Sequence, residues 1–227
     1  MHAYSLSPPL TLCRGRCHIQ SMDASTTPSL DTICVYCGSG PGQDPAFVAA
    51  ARALGRILAE NRIRLVYGGG SIGLMGELAA AVLEHGGRVT GIIPDFLTQR
   101  EHVLTDVQEV IVTRNMHERK QLMFEHADAF VALPGGVGTL EELVEQLTWS
   151  QLGRHQKPIL CVNVAGFWKP LCDLLDHMTR MKFIREGLRV NLLVADRVDD
   201  ILPKLRGALA SLDKRDTAMD KTMEEKL

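Results

Sequence analysis

The stretch Ala129-Phe130-Val131-Ala132-Leu133-Pro134-Gly135-Gly136-Val137-Gly138-Thr139-Leu140-Glu141-Glu142 decides how this chain is read. Its first five residues form a continuous apolar run, the mark of a strand buried on both faces. A proline and three glycines break the run, and a helical pattern follows over residues 139–152. Glycines strip side chains from a turn, so its N–H groups can come close to an anion. The helix N-terminus beyond it adds free N–H groups and a partial positive charge. Thr139 and Glu142 also fit a capping box, with Thr139 as N-cap and Glu142 reaching back to its N–H. A cap accounts for neither the glycines nor the adjacent acids Glu141 and Glu142. A site that only held phosphate would gain little from carboxylates there, so the pair points to chemistry on something attached to the phosphate.

The same alternation extends outward in both directions. Strands are expected at residues 32–37, 64–67, 88–93, 107–112, 129–133, 158–162 and 192–195. Helices are expected at 45–60, 72–84, 116–126, 139–152, 167–181 and 199–209. Apolar strands alternating with helices predict an α/β, three-layer Rossmann-like fold with a mostly parallel sheet covered by helices on both faces. Ligands of such folds bind beyond the carboxyl ends of the strands, where every glycine cluster of this chain falls. Residues 31–210 are expected to form one nucleotide-binding catalytic domain. Residues 1–30 look like a disordered extension with Met22 as the true start, and the charged tail 211–227 like a frayed helix or disorder.

Composition narrows the function. The chain has 227 residues, 45% apolar and 23% charged, enough for one domain with a substantial core. A net charge of −2 and only 5% aromatics disfavour nucleic-acid binding. No apolar run is long enough to span a bilayer. The six cysteines are too sparse for a disulfide scaffold. Cys34 and Cys37 match C-x-x-C but lie in or beside a buried strand, so they read as small hydrophobes rather than a redox or zinc pair. Cys13 and Cys17 lack a second ligand pair, and no metal site is expected. A reducing cytoplasm fits this usage.

Three further segments carry chemistry. Gly68-Gly69-Gly70-Ser71-Ile72-Gly73 satisfies G-x-G-x-x-G between a strand and a helix, but the next strand ends Gly91-Ile92-Ile93-Pro94 without the acid a dinucleotide ribose needs. Phosphate or nucleotide contact through Gly69 and Gly70 outweighs a plain turn in which Gly73 and Gly76 allow close packing. Gly38 and Ser39 form a second strand-end turn that can hold ribose or phosphate or simply reverse the chain. Met116-His117-Glu118-Arg119-Lys120 opens a helix, and cations there oppose the helix dipole, which suggests a nearby anion such as phosphate.

Together, Pro134-Gly-Gly-x-Gly-Thr-x-x-Glu142, Gly68-Gly-Gly-Ser-Ile-Gly-Leu-Met-Gly76 and Met116-His-x-Arg-Lys120 resemble the LONELY GUY (LOG) family over residues 32–184. These are cytokinin-activating phosphoribohydrolases, once widely labelled lysine decarboxylases. The resemblance implies hydrolysis of N6-modified adenosine 5′-monophosphates (cytokinin riboside 5′-monophosphates) to the free base and ribose 5-phosphate, with neither metal nor cofactor. It implies Arg119 and Glu142 as the catalytic pair. It also implies nucleotide contacts by Glu101, Lys120, Gly135, Gly136, Val137, Gly138, Thr139, Leu140, Glu141 and Thr148. Val137 departs from the tyrosine that plant members often carry. The resemblance further implies a homodimer with the site close to the subunit contact, to which the helix around Phe124 and the segment Leu147-Thr148-Trp149 could contribute, although Trp149 and Leu152 read more naturally as core. Two other readings stay open: an AMP nucleosidase of the same chemistry, and a non-catalytic carrier of nucleotide or molybdenum cofactor.

Overall fold

The computed structural model describes residues 29–98, 108–184 and 191–224. Its strands are β1 (Thr32–Tyr36), β2 (Arg64–Tyr67), β3 (Val89–Pro94), β4 (Glu109–Thr113), β5 (Ala129–Ala132), β6 (Ile159–Val162) and β7 (Leu192–Ala195). Between and after them run α1 (Pro45–Glu60), α2 (Gly73–Glu84), the one-turn α3 (Asp95–Thr98), α4 (Met116–Glu125), α5 (Val137–Gln151), α6 (Lys169–Arg180) and α7 (Ile201–Glu224). The strands pair in the order β4-β3-β2-β1-β5-β6-β7, and every pair is parallel.

Parallel strands need helical crossovers, and crossovers of one hand sort the helices by direction of travel. Steps from β1 toward β3 place α1 and α2 on one face, where α7 joins them. Steps from β4 to β7 place α4, α5 and α6 on the other. Strand alternation follows: Ile33, Val35 and Cys37 pack toward α1 and α2, whereas Cys34 and Tyr36 pack toward α4 and α5. The two cysteines of the C-x-x-C thus face opposite layers. The chain reverses its direction of travel between β1 and β5, and this switch point opens the crevice that becomes the site.

Two sequence expectations shift. α5 begins at Val137, two residues before Thr139, with Gly136 as N-cap and no side-chain cap. Thr139 is therefore not the N-cap and Glu142 is not its capping-box partner. An extended Gly136 lets the helix start early, and Thr139 packs inward against Gly135 instead. Leu152 is 76% exposed and Trp149 half-buried, so neither belongs to the core. The tail, expected as a frayed helix or disorder, is helical as far as Glu224. Of the expected extension 1–30, residues 1–28 lie outside the described residues. No described helix is long and apolar enough to cross a membrane.

Candidate active site

The turns after β1 and β5 meet at the switch point, where the Gly38 N–H donates to the carbonyl of Pro134 at 3.1 Å. The approach is close because Gly135 has no side chain: a Cβ there would overlap the side chain of Thr139 and crowd the Gly38 nitrogen. Beside this contact lies a cleft of about 290 Å³ lined by Tyr36 to Ser39, Gly68, Arg119, Gly136 to Thr139, Glu141 and Glu142. The first N–H groups of α5, which lack intrahelical partners, edge this cleft.

Arg119 and Lys120 enter from α4. That helix starts at Met116 because Asn115 caps it, its side chain accepting the Glu118 N–H at 2.9 Å, while the Glu118 carboxylate accepts the Arg114 N–H at 2.8 Å. The charged run of α4 is not a solvated face at these two positions, since Arg119 and Lys120 are 6% and 8% exposed. Within the chain, carboxylates of α5 answer them. Arg119 Nη2 lies 3.8 Å from Glu142 Oε1 and donates to the Gly68 carbonyl at 3.3 Å. Arg119 Nε is buried without a hydrogen-bond partner among the described residues, a donor left over for something that enters the cleft. Lys120 Nζ bonds Glu141 and, at 3.0 Å, Glu145. Burial pulls its ammonium down, but these carboxylates outweigh it and hold the group above its ordinary value.

The cleft floor is neutral at physiological pH. Burial drives the Tyr36 phenol well above its usual range, and the thiol of Cys34 and the carboxylate of Glu142 add to the effect. Cys34 and Cys37 are raised for the same leading reason, with Glu142 again contributing. Among the described residues, the charged side chains lining the cleft are therefore Arg119, Glu141 and Glu142, with Lys120 bonded to Glu141.

The remaining expected residues divide. Gly38, Ser39, Gly136, Val137, Gly138 and Thr139 line the cleft, while Gly135 lines an adjoining hollow. Gly69 and Gly70 are buried behind Gly68, which alone of that triplet reaches the cleft. The rest of the G-x-G-x-x-G loop is a packing device: Cβ atoms at Gly73 and Gly76 would strike the backbone of Ser39 and Ser71. Leu140 points to the outer surface at 38% exposure, and Thr148 is exposed with its hydroxyl donated to the Val144 carbonyl. Glu101 lies outside the described residues. Sequence reasoning missed Tyr36 and Glu145 and left Gly68 out of the contacts of its glycine motif; that motif and the spacing of Glu145, four residues after Glu141, were the available signals.

A family model described as "Possible lysine decarboxylase" matches residues 75–205. The chain is 48% identical over 173 residues to the cytokinin riboside 5′-monophosphate phosphoribohydrolase LOG of Oryza sativa subsp. japonica, spanning 76% of this chain and 72% of that one. It belongs to the LONELY GUY family. A bacterial member, the cytokinin riboside 5′-monophosphate phosphoribohydrolase of Rhodococcoides fascians, is 40% identical over 190 residues, 82% of this chain and 94% of its own. Among solved structures, the Moco carrier protein of Chlamydomonas reinhardtii superposes with a TM-score of 0.60 at 22% identity, covering 81% of this chain and 99% of that one. At that identity the likeness concerns the fold alone. The LOG scaffold of this chain is thus the same three-layer α/β fold.

Proposed function

We infer that this LOG-family chain is an N-glycosyl hydrolase that cleaves cytokinin riboside 5′-monophosphates to the free cytokinin base and ribose 5-phosphate. The observation that carries the reading is the buried Arg119–Glu142 pair beside the free N–H groups that open α5. Backbone N–H groups of residues 136–139 suit the 5′-phosphate. Holding the phosphate there uses remote binding energy to bring C1′ against Glu142. As the bond from C1′ to the base nitrogen breaks, its electron pair leaves with the base and C1′ becomes positive. The Glu142 carboxylate stabilises that charge and takes a proton from the water whose oxygen bonds to C1′; that proton passes to the departing base, which leaves neutral and returns Glu142 to its carboxylate. Arg119 orients the ribose phosphate, and Glu141 with Glu101 binds ribose hydroxyls. No metal or cofactor enters this scheme.

We also place the enzyme in the cytoplasm, in keeping with its free buried thiols Cys34, Cys37 and Cys161, and as a homodimer. The exposed apolar residues Leu140 and Val144 lie on the outer face of α5 and Leu152 caps its end, with Val137 83% exposed at the cleft mouth. Thr148 lies on the same face, so a partner subunit could receive it. Light scattering at twice the monomer mass is the expected result; a clean monomer overturns it.

The deciding assay incubates the protein with AMP and isopentenyl-AMP and quantifies released base. Faster release of isopentenyladenine supports the cytokinin-activating reading. Adenine release alone makes the protein an AMP nucleosidase. Tight binding of either nucleotide without release makes it a carrier.

A further inference from the structure

We propose that Glu145 is a positioning residue of this cleft: it anchors Lys120, and through Lys120 it fixes the cleft-lining carboxylate of Glu141. The proposal rests on the hydrolytic reading of the site. Glu141 and Glu145 are four residues apart on α5, so their side chains stand on the same side of the helix, one turn apart. Two carboxylates at that spacing repel. The ammonium of Lys120 lies between them and bonds both. The two acids differ in what they can reach. Glu141 has a half-exposed side chain and lines the cleft. Glu145 is 21% exposed, does not line it, and has its Oε2 buried without a hydrogen-bond partner among the described residues.

A glutamate on a helix surface samples several rotamers, and a lysine stem more. Lys120 does not have that freedom, because its stem is buried and its head is held from below by Glu145. The head is thereby a fixed cation behind the cleft-lining Glu141, and Glu141 is drawn to it. Without Glu145 the ammonium has one carboxylate in place of two and can follow Glu141 outward or turn to an incoming phosphate. Either movement takes Glu141 from the position in which it meets a ribose hydroxyl. Glu145 touches no substrate in this scheme; its effect passes entirely through Lys120 and Glu141.

That single route makes a double-mutant cycle the test. Turnover of isopentenyl-AMP is compared in wild type, Glu145→Gln, Glu141→Gln and the double variant, and AMP affinity is measured by calorimetry in the same four proteins. Glu145→Gln should keep the thermal midpoint of the wild type and lower kcat/KM about tenfold, the loss of one charge-assisted hydrogen bond. Added to Glu141→Gln, it should change kcat/KM by no more than about twofold, the scatter of non-interacting sites. Lys120→Met should silence Glu145→Gln in the same way, and Glu145→Asp should restore part of the loss. Full multiplication of the two losses, or a Glu145→Gln variant equal to wild type, overturns the proposal. Wild-type protein that releases no base from either nucleotide, whether or not it binds them, overturns the hydrolytic reading, and this proposal with it.

Discussion

Arg119 and Glu142 face each other across the junction of α4 and α5, Nη2 to Oε1 at 3.8 Å, with both side chains almost wholly buried. The separation is longer than a hydrogen bond, so each group sits in the field of the other without being locked to it. The Gly68 carbonyl, 3.3 Å from the same Nη2, sets where the guanidinium lies.

Glu142→Gln keeps the shape of the side chain and removes its charge. Base release should fall about a hundredfold to a thousandfold, the usual cost of deleting one electrostatic group aimed at developing charge. The thermal midpoint should barely move. Chromatographic assay beside a melting curve checks both, and wild-type turnover by this variant would remove Glu142 from the catalytic role.

Gly68→Ala tests the placement of Arg119. A Cβ at position 68 would overlap the guanidinium and crowd the Met75 sulfur. The far end of Arg119 can shift, so the fold should survive while the pair with Glu142 opens. The expected result is a folded protein whose kcat/KM is reduced by about tenfold or more, one charged interaction's worth.

His155 predicts a stability slope in mild acid. The ring is buried against Phe124 and Phe130; its Nδ1 accepts the Lys157 N–H, and its Nε2 lies 3.2 Å from the Gln146 carbonyl. Burial lowers its pKa in the folded chain, and nearby Lys157 and Arg154 add to the effect. The unfolded chain therefore binds a proton first, so stability falls as pH drops below the ordinary histidine value of about 6.5. Melting temperatures from pH 7.5 to 5 should decline over that window, and His155→Gln should flatten this part of the slope.

The thiols should react in order of exposure. Burial raises Cys34 and Cys37 strongly and pushes Cys161 up to about 12, so the thiolate is scarce in each. Burial raises Cys172 too, but it is only partly buried, so a reagent can reach its sulfur. Iodoacetamide at pH 8, read by peptide mass spectrometry, should label Cys172 well before the other three; equal rates would contradict the packing.

Much of this was legible beforehand because it is local. Helix α1 and strands β2 and β7 fall where periodicity and strand-end glycines put them, and Arg119, Glu141 and Glu142 could be singled out by type and neighbourhood. The capping box at Thr139 was equally local and failed, because an extended Gly136 started α5 two residues early. Gly69 and Gly70 resembled a phosphate loop, but only Gly68 ends up beside the cleft.

The alternation of strands and helices, the glycine turns at strand ends and the acids that follow them are local properties of the sequence, since each depends on residues a few positions apart. The tertiary structure alone decided which charges meet. Lys120 and Glu145 are 25 residues apart in the chain and pair only because the β4–β5 and β5–β6 crossovers set α4 beside α5 on one face of the sheet. An ion pair depends on distance in space and on burial, and neither quantity exists until the sheet has ordered its strands.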